Sequence, residues 1–122
     1  MESYMNRISN TGIVPVVKIL EKEDAYPLAK ALLNGGIDVI EVTYRSEHAT
    51  SAIQTISEQL PDMLVGAGTV LSVEQAKEAV EAGAKFIITP GFNTKVVQWC
   101  LDHDVEVYPG VSTASVCLCS LL

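Results

Sequence analysis

Three polar side chains stand two residues apart in an otherwise apolar run. They are Glu41, Thr43 and Arg45 within Ile37-Asp38-Val39-Ile40-Glu41-Val42-Thr43-Tyr44-Arg45. Side chains alternate along a strand, so a strand here turns all three to one side. A carboxylate among Val and Ile is costly to bury unless it is paired or put to use. Either Glu41 does chemistry at the end of a strand, or Glu41 and Arg45 form an ion pair that only stabilises a rim. A second candidate is Gly66-Ala67-Gly68-Thr69. Glycines let a ligand approach the backbone, and successive amides can hold an anion, although a tight turn would need the same residues. Thr89-Pro90-Gly91 and Pro109-Gly110-Val111-Ser112-Thr113 also end apolar runs in small, turn-forming residues. Each reads as a turn by itself, but three such ends in a row predict a lined pocket. His48 and His103 read as surface residues, because nothing near them supplies metal-ligand spacing. Trp99 reads as a helix-packing or interface residue.

The elements that must position these groups repeat along the chain. The apolar runs Ile13–Val17, Ile37–Val42, Met63–Val65, Phe86–Ile88 and Val105–Tyr108 alternate with helical patterns. Ala25, Leu28, Ala29, Leu32 and Leu33 form one helix face, and Gly35-Gly36 stops it. Ala49, Ala52, Ile53, Ile56 and Leu60 form a second stripe, ended by Pro61. Ser72-Val73-Glu74-Gln75 reads as a capping box, and Gly83 closes that helix. Asn93 caps a fourth helix, with Val96, Val97, Cys100 and Leu101 on its inner face. Alternation of strand and helix predicts a parallel sheet with helical crossovers, either a (β/α) barrel or an open doubly wound sheet. The first strand lacks the G-x-G-x-x-G of a dinucleotide fold. Four complete units and a fifth strand amount to roughly half of an eight-unit barrel. In either architecture, chemistry belongs at the C-terminal ends of the strands.

Composition bounds the rest. The 122 residues are 48% hydrophobic and 19% charged, which suits one folded domain spanning 1–122. Eight basic against fifteen acidic residues give a net charge of −7, which argues against nucleic acid as a partner but not against one bound phosphate. The three cysteines, Cys100, Cys117 and Cys119, suggest neither a disulfide framework nor a metal site, but buried thiols in a reducing cytoplasm. Met1–Asn10 has no apolar core, so it does not read as a signal peptide, and no run approaches the roughly 20 residues of a membrane span. The expectation is a cytoplasmic protein with no membrane partner.

Five segments fall in the order and spacing of one family: Val14-Pro15-Val16, Glu41-Val42-Thr43-x-Arg45, Gly66-Ala67-Gly68-Thr69-Val70, Thr89-Pro90-Gly91 and Pro109-Gly110-Val111-Ser112-Thr113. From about residue 8 to about residue 115, the chain resembles the 2-dehydro-3-deoxy-phosphogluconate aldolases, also called 4-hydroxy-2-oxoglutarate aldolases. The E-x-T-x-R form is similar to the phosphogluconate branch rather than the phosphogalactonate branch, which has E-x-P-x-N. The resemblance implies a class I aldolase on a (β/α)₈ barrel, a homotrimer, with a small 2-keto acid as substrate and no metal or organic cofactor. A lysine would form a Schiff base, the electron sink for cleavage to pyruvate and an aldehyde. By the same resemblance Glu41 is the general acid/base, and Arg45 holds the pyruvate carboxylate with its planar fork of donors. Gly68, Thr69 and Pro90 line the pyruvate pocket. Ser112 and Thr113 border the substrate at the end of strand five.

The chain also departs from that pattern. In the family the Schiff-base lysine lies on strand six, in a segment like K-F-F-P, and phosphate is held after strands seven and eight. Of Lys18, Lys22, Lys30, Lys77, Lys85 and Lys95, only Lys18 follows a strand at the active end. After Ser115 the composition changes, and Val116–Leu122 reads as a divergent tail, from a shifted frame or a truncated gene, or else as a genuine short tail. The expectation is that this chain alone is not an efficient aldolase. The alternative to family function is a catalytically inert half-barrel that binds small keto acids or pairs with a complementing chain.

Overall fold

The computed structural model describes residues 3–120, with side chains through Cys117. Five strands form one parallel sheet in the order β1-β2-β3-β4-β5. They are β1 (Val16–Val17), β2 (Val39–Thr43), β3 (Leu64–Gly68), β4 (Phe86–Thr89) and β5 (Glu106–Pro109). A helix follows each: α2 (Ala25–Asn34), α3 (Ala49–Gln59), α4 (Val73–Ala82), α5 (Thr94–Asp102) and α6 (Ala114–Ser120). The fold is α/β, about the first half of a TIM-like (β/α) barrel. Because all strands run parallel, the residues singled out beyond β2, β3, β4 and β5 gather along one edge of the sheet.

The local chemistry of the sequence accounts for these elements. Every residue of β2 and β3 is buried, as expected of a parallel sheet covered on both faces. Ala49, Ala52, Ile53, Ile56 and Leu60 of the α3 stripe are all buried. Ile40, Val42, Val65, Ala67 and Ile87 meet the helices on one face of the sheet and make the larger core. Ser72 caps α4 by accepting from the Gln75 amide, while Gln75 Oε1 reaches back to the amide of Leu71, one residue before the cap. Asn93 caps α5 by accepting from the amides of Lys95 and Val96. Gly83, at φ +116°, closes α4. Leu101 departs from its expected place. It is exposed, and only Val96 and Cys100 of that stripe are fully buried.

Two helices were not legible from apolar spacing. The first, α1 (Met5–Thr11), lies on the face of the sheet opposite the other helices. At seven residues it is too short to stand alone, and tertiary bonds hold it. Arg7 Nε pairs with Asp38 Oδ2 at 3.1 Å, Arg7 Nη2 donates to the Asp62 carbonyl, and the Tyr4 amide donates to Glu106 at 2.8 Å. The second, α6, begins at Ala114, two residues before the expected divergent tail, and runs into it; the Thr113 hydroxyl caps it by accepting from the Val116 amide at 3.2 Å. Leu121 and Leu122, the end of that tail, lie outside the described residues. Cys100 is buried, but Cys117 is exposed, which departs from the expectation of buried thiols. The side chain of Cys119 also lies outside the described part. No helix among the described residues is long and apolar enough to cross a membrane.

Candidate active site

Cross-strand register places Val16 beside Glu41, Glu41 beside Gly66, Gly66 beside Phe86 and Phe86 beside Glu106. Partners in adjacent parallel strands share a face, so this row faces away from α2–α5. It opens on a cleft of about 360 Å³ lined by Met5, Ile8, Val14, Val16, Glu41, Phe86, Ile88 and Tyr108. Glu41 is the one charged side chain in that lining. It is 7% exposed and has no hydrogen-bond partner among the described residues. Burial pushes its carboxyl above the ordinary 4.5, and the more distant charge of Arg45 only partly offsets this.

The alternative reading, a Glu41–Arg45 ion pair, is not realised among the described residues. The ion pairs among the described residues are Arg7–Asp38 and His48–Glu47, and Arg45 stays exposed beyond β2. A carboxylate held in an apolar cleft, with a cation near but not touching, is left available to a ligand. Thr43, on the same face, is spoken for: its hydroxyl donates to the Val17 carbonyl at 3.0 Å and ties β1 to β2.

The glycines of β3 explain how Glu41 fits. A Cβ built on Gly68 would lie 1.8 Å from Glu41 Oε1, so the carboxyl occupies the space a side chain would fill. Thr69 follows with φ +55°, a genuine outlier for a β-branched residue. Such strain of about 1–3 kcal/mol clusters at ligand sites. Gly110 packs on the Pro90 carbonyl, and its amide donates to the Thr89 carbonyl at 2.9 Å, which joins the ends of β4 and β5. Pro90 is exposed and lines a separate rim cleft of about 550 Å³ with Val70, Thr89 and Asn93. Ser112 and Thr113 are exposed on the loop after β5, and Thr113 is engaged in capping α6. The structure therefore brings Glu41, Gly68 and Thr69 together, sets Arg45 and Pro90 along the same rim, and leaves Ser112 and Thr113 farther along it.

Lys18 does not stand in for a nucleophile here. It is exposed and lines a different cleft, with Ile19, Leu20, Asp24, Pro27 and Leu28. None of the six lysines lines the Glu41 cleft. Cys100 is no substitute, since burial pushes its thiol up to about 11. No cluster able to hold a metal is found among the described residues. His103 is exposed, as expected, and stacks on Trp99 with ring centroids 4.4 Å apart, whereas His48, expected at the surface, is half-buried at the start of α3.

The pattern that matters most was only half visible in the sequence. Gly66 and Gly68 are two residues apart, so they share a face of β3 and signal that neighbours lean across it. Phe86 is the neighbour that sequence reasoning missed.

A model of the aldolase family described as KDPG and KHG aldolase matches residues 4–121, almost the whole chain. The chain belongs to the KDPG and KHG aldolase family. Among its relatives, the 2-dehydro-3-deoxy-phosphogluconate aldolase of Treponema pallidum is 46% identical over 115 residues, which is 94% of this chain and 55% of that protein. The KHG/KDPG aldolase of Escherichia coli K12 is 44% identical over 88% of this chain and 51% of its own length. The crystal structure of a Legionella pneumophila KDPG aldolase, with pyruvate captured as a covalent carbinolamine, superposes with a TM-score of 0.85 at 41% identity. It is matched over 88% of this chain and 52% of that one. The chain thus spans about half the length of the relatives it matches.

Proposed function

We propose that this chain carries the acid–base and keto-acid-binding half of a class I aldolase. The reaction is cleavage of 2-keto-3-deoxy-6-phosphogluconate to pyruvate and glyceraldehyde 3-phosphate, or of 4-hydroxy-2-oxoglutarate to pyruvate and glyoxylate. The observation that carries this reading is Glu41: buried, without a hydrogen-bond partner and raised in pKa, over a glycine that only its carboxyl fills. A carboxyl raised by burial holds its proton more readily than a free one and can serve as donor in one step and acceptor in the next. As acid it protonates the oxygen leaving the keto carbon when an amine adds there. As base it takes the proton of the hydroxyl at C4 while the C3–C4 bond breaks and its electrons pass to the iminium. Arg45 holds the carboxylate of the keto acid. Gly68 and Thr69 wall the pyruvate end, and Pro90, Ser112 and Thr113 border the substrate beyond it, along the rim.

The amine comes from the half of the barrel that the longer relatives possess. The absence of a lysine from the Glu41 cleft favours a second statement: the chain alone binds small keto acids but does not trap them. Borohydride reduction with ¹³C-pyruvate, read by mass spectrometry, tests both. No adduct is expected on the 122-residue chain. A pyruvyl adduct is expected on the added partner when a C-terminal half of a full-length relative is supplied. It should be at least tenfold weaker with Glu41→Gln. An adduct on a lysine of this chain alone would overturn the division of labour, and an undiminished adduct with Glu41→Gln would overturn the role of Glu41. The cytoplasmic location and the homotrimer belong to the same proposal, as properties of the family's complete barrel.

A further inference from the structure

The inner face of β3 offers two adjacent empty places, at Gly66 and at Gly68. Both are filled from neighbouring strands. A Cβ on Gly66 would lie 2.1 to 2.4 Å from three ring atoms of Phe86, so the ring leans across β3 from β4. The place at Gly68 is taken from the other side by the Glu41 carboxyl. Gly66 is the direct register partner of Glu41, and Gly68 is the partner of Thr43, one step nearer the C-terminal edge. Glu41 therefore has two places within reach, and the nearer one is already occupied. No hydrogen bond of its own tells the carboxyl which to choose.

We propose that Phe86, seated over Gly66, is a positioning residue that confines the Glu41 carboxyl to the place over Gly68, at the mouth of the site. This rests on the reading of Glu41 as the acid–base group. The ring does two things at once. It blocks the inward rotamer of Glu41, and it supplies apolar surface on the side of the carboxyl away from the rim. Phe86 is itself fixed: it is fully buried, and it meets Tyr108 edge-on with ring centroids 5.9 Å apart. Rotamer choice in Glu41 is thus set by packing instead of by a bond, which leaves both carboxyl oxygens free for substrate.

NMR on the 122-residue chain tests this. In the unsubstituted chain, nuclear Overhauser contacts are expected between the Glu41 γ-protons and the Gly68 α-protons, and between the Phe86 ring and Gly66. Phe86→Leu empties the place over Gly66, and Gly66→Ala expels the ring from it. In Phe86→Leu the Glu41–Gly68 contact should be lost, and the ¹³C-detected Glu41 titration should move down toward the ordinary carboxyl range as water enters; in Gly66→Ala, where the new methyl group itself fills the place over residue 66, the Glu41–Gly68 contact should persist. The Asp38 titration, held low by Thr11 and Arg7 outside the Phe86 contact, should stay where it is. A folded Phe86→Leu chain that keeps the Glu41–Gly68 contact and an unmoved Glu41 titration would overturn the proposal. If both variants fail to fold, the unsubstituted chain decides: the two contacts sustain the proposal, and their absence sinks it. Neither readout involves a keto acid, so its failure is distinct from failure of the trapping experiment.

Discussion

Two glutamates sit in one register row on one face of the sheet, and the protein treats them in opposite ways. Glu41 on β2 accepts no hydrogen bond among the described residues, and burial raises its pKa. Glu106 on β5 is also partly buried, and burial alone would raise it. Hydrogen bonds from the Tyr108 hydroxyl, from Ser3 and from the Tyr4 amide outweigh that and hold its carboxyl below the ordinary value. The Tyr108 bond is 2.7 Å and the Tyr4 bond 2.8 Å, so each carboxylate oxygen is engaged. Glu106 is consumed by structure, since it clamps α1 across the sheet. Glu41 is left unengaged at a cost in stability. The same side chain in the same row is thus a fastener on one strand and a reagent on another, and the partners alone decide which.

The comparison breaks most visibly if Glu106 is removed. Glu106→Ala leaves the Tyr108 hydroxyl and the Tyr4 amide unpaired and frees the start of α1. A loss of about 2–3 kcal/mol is expected in urea unfolding at pH 7. Loss of α1 protection in hydrogen exchange should accompany it. A loss under about 0.5 kcal/mol would mean that α1 is held by Arg7 and Ile8 alone.

Glu41→Gln should move stability the other way, by about 1 kcal/mol upward at pH 7, because a partnerless buried charge is replaced by a neutral amide. The pH dependence carries the sharper sign. Glu41 has a raised folded-state pKa, so its favourable contribution is complete below the ordinary 4.5 and is lost as pH rises through the folded value. Glu106 has a lowered one, so its contribution is present above 4.5 and is lost as pH falls through the folded value. The gain from Glu41→Gln should therefore vanish below about pH 4.5, and the loss attributable to the Glu106 charge should fade in acid. Equal slopes for both variants would erase the distinction.

The parts of this picture that were legible in the sequence share a cause. Periodic apolar stripes gave α2 and α3, local capping chemistry gave the starts of α4 and α5, and β-branched runs gave the strands, because each is a short-range rule. Glu41, Gly68 and Thr69 stood out because they break those rules. What stayed hidden depends on long-range partners. Helix α1 carries no stripe of its own and is fixed by bonds to Asp38 and Glu106, the latter about a hundred positions away. Leu101 has apolar spacing but falls outside the contact of α5 with the sheet. Phe86 reads as one more core aromatic until the neighbouring strand is known to present Gly66 to it.

Strain offers the smallest and most specific test. Thr69 and Asp104 both have φ +55°, yet they differ in kind. Asp104 sits in the turn between α5 and β5, and aspartate tolerates the left-handed region through its short polar side chain. Thr69 is β-branched, and its place beside Gly68 is the edge of the Glu41 site. Thr69→Gly should relieve about 1–3 kcal/mol of strain while adding roughly 0.5–1 kcal/mol of unfolded-chain entropy, for a net gain of about 1 kcal/mol. Asp104→Gly should change stability by less than about 0.5 kcal/mol, since it has less strain to relieve. If Thr69 is held for binding, the more stable Thr69→Gly chain should bind pyruvate more weakly in an NMR titration, and Asp104→Gly should bind it unchanged. Should Thr69→Gly destabilise the chain instead, the Thr69 side chain is packing rather than waiting for a ligand. The strained rim would then belong with Glu106 among the fasteners, and Glu41 would stand alone as the reagent.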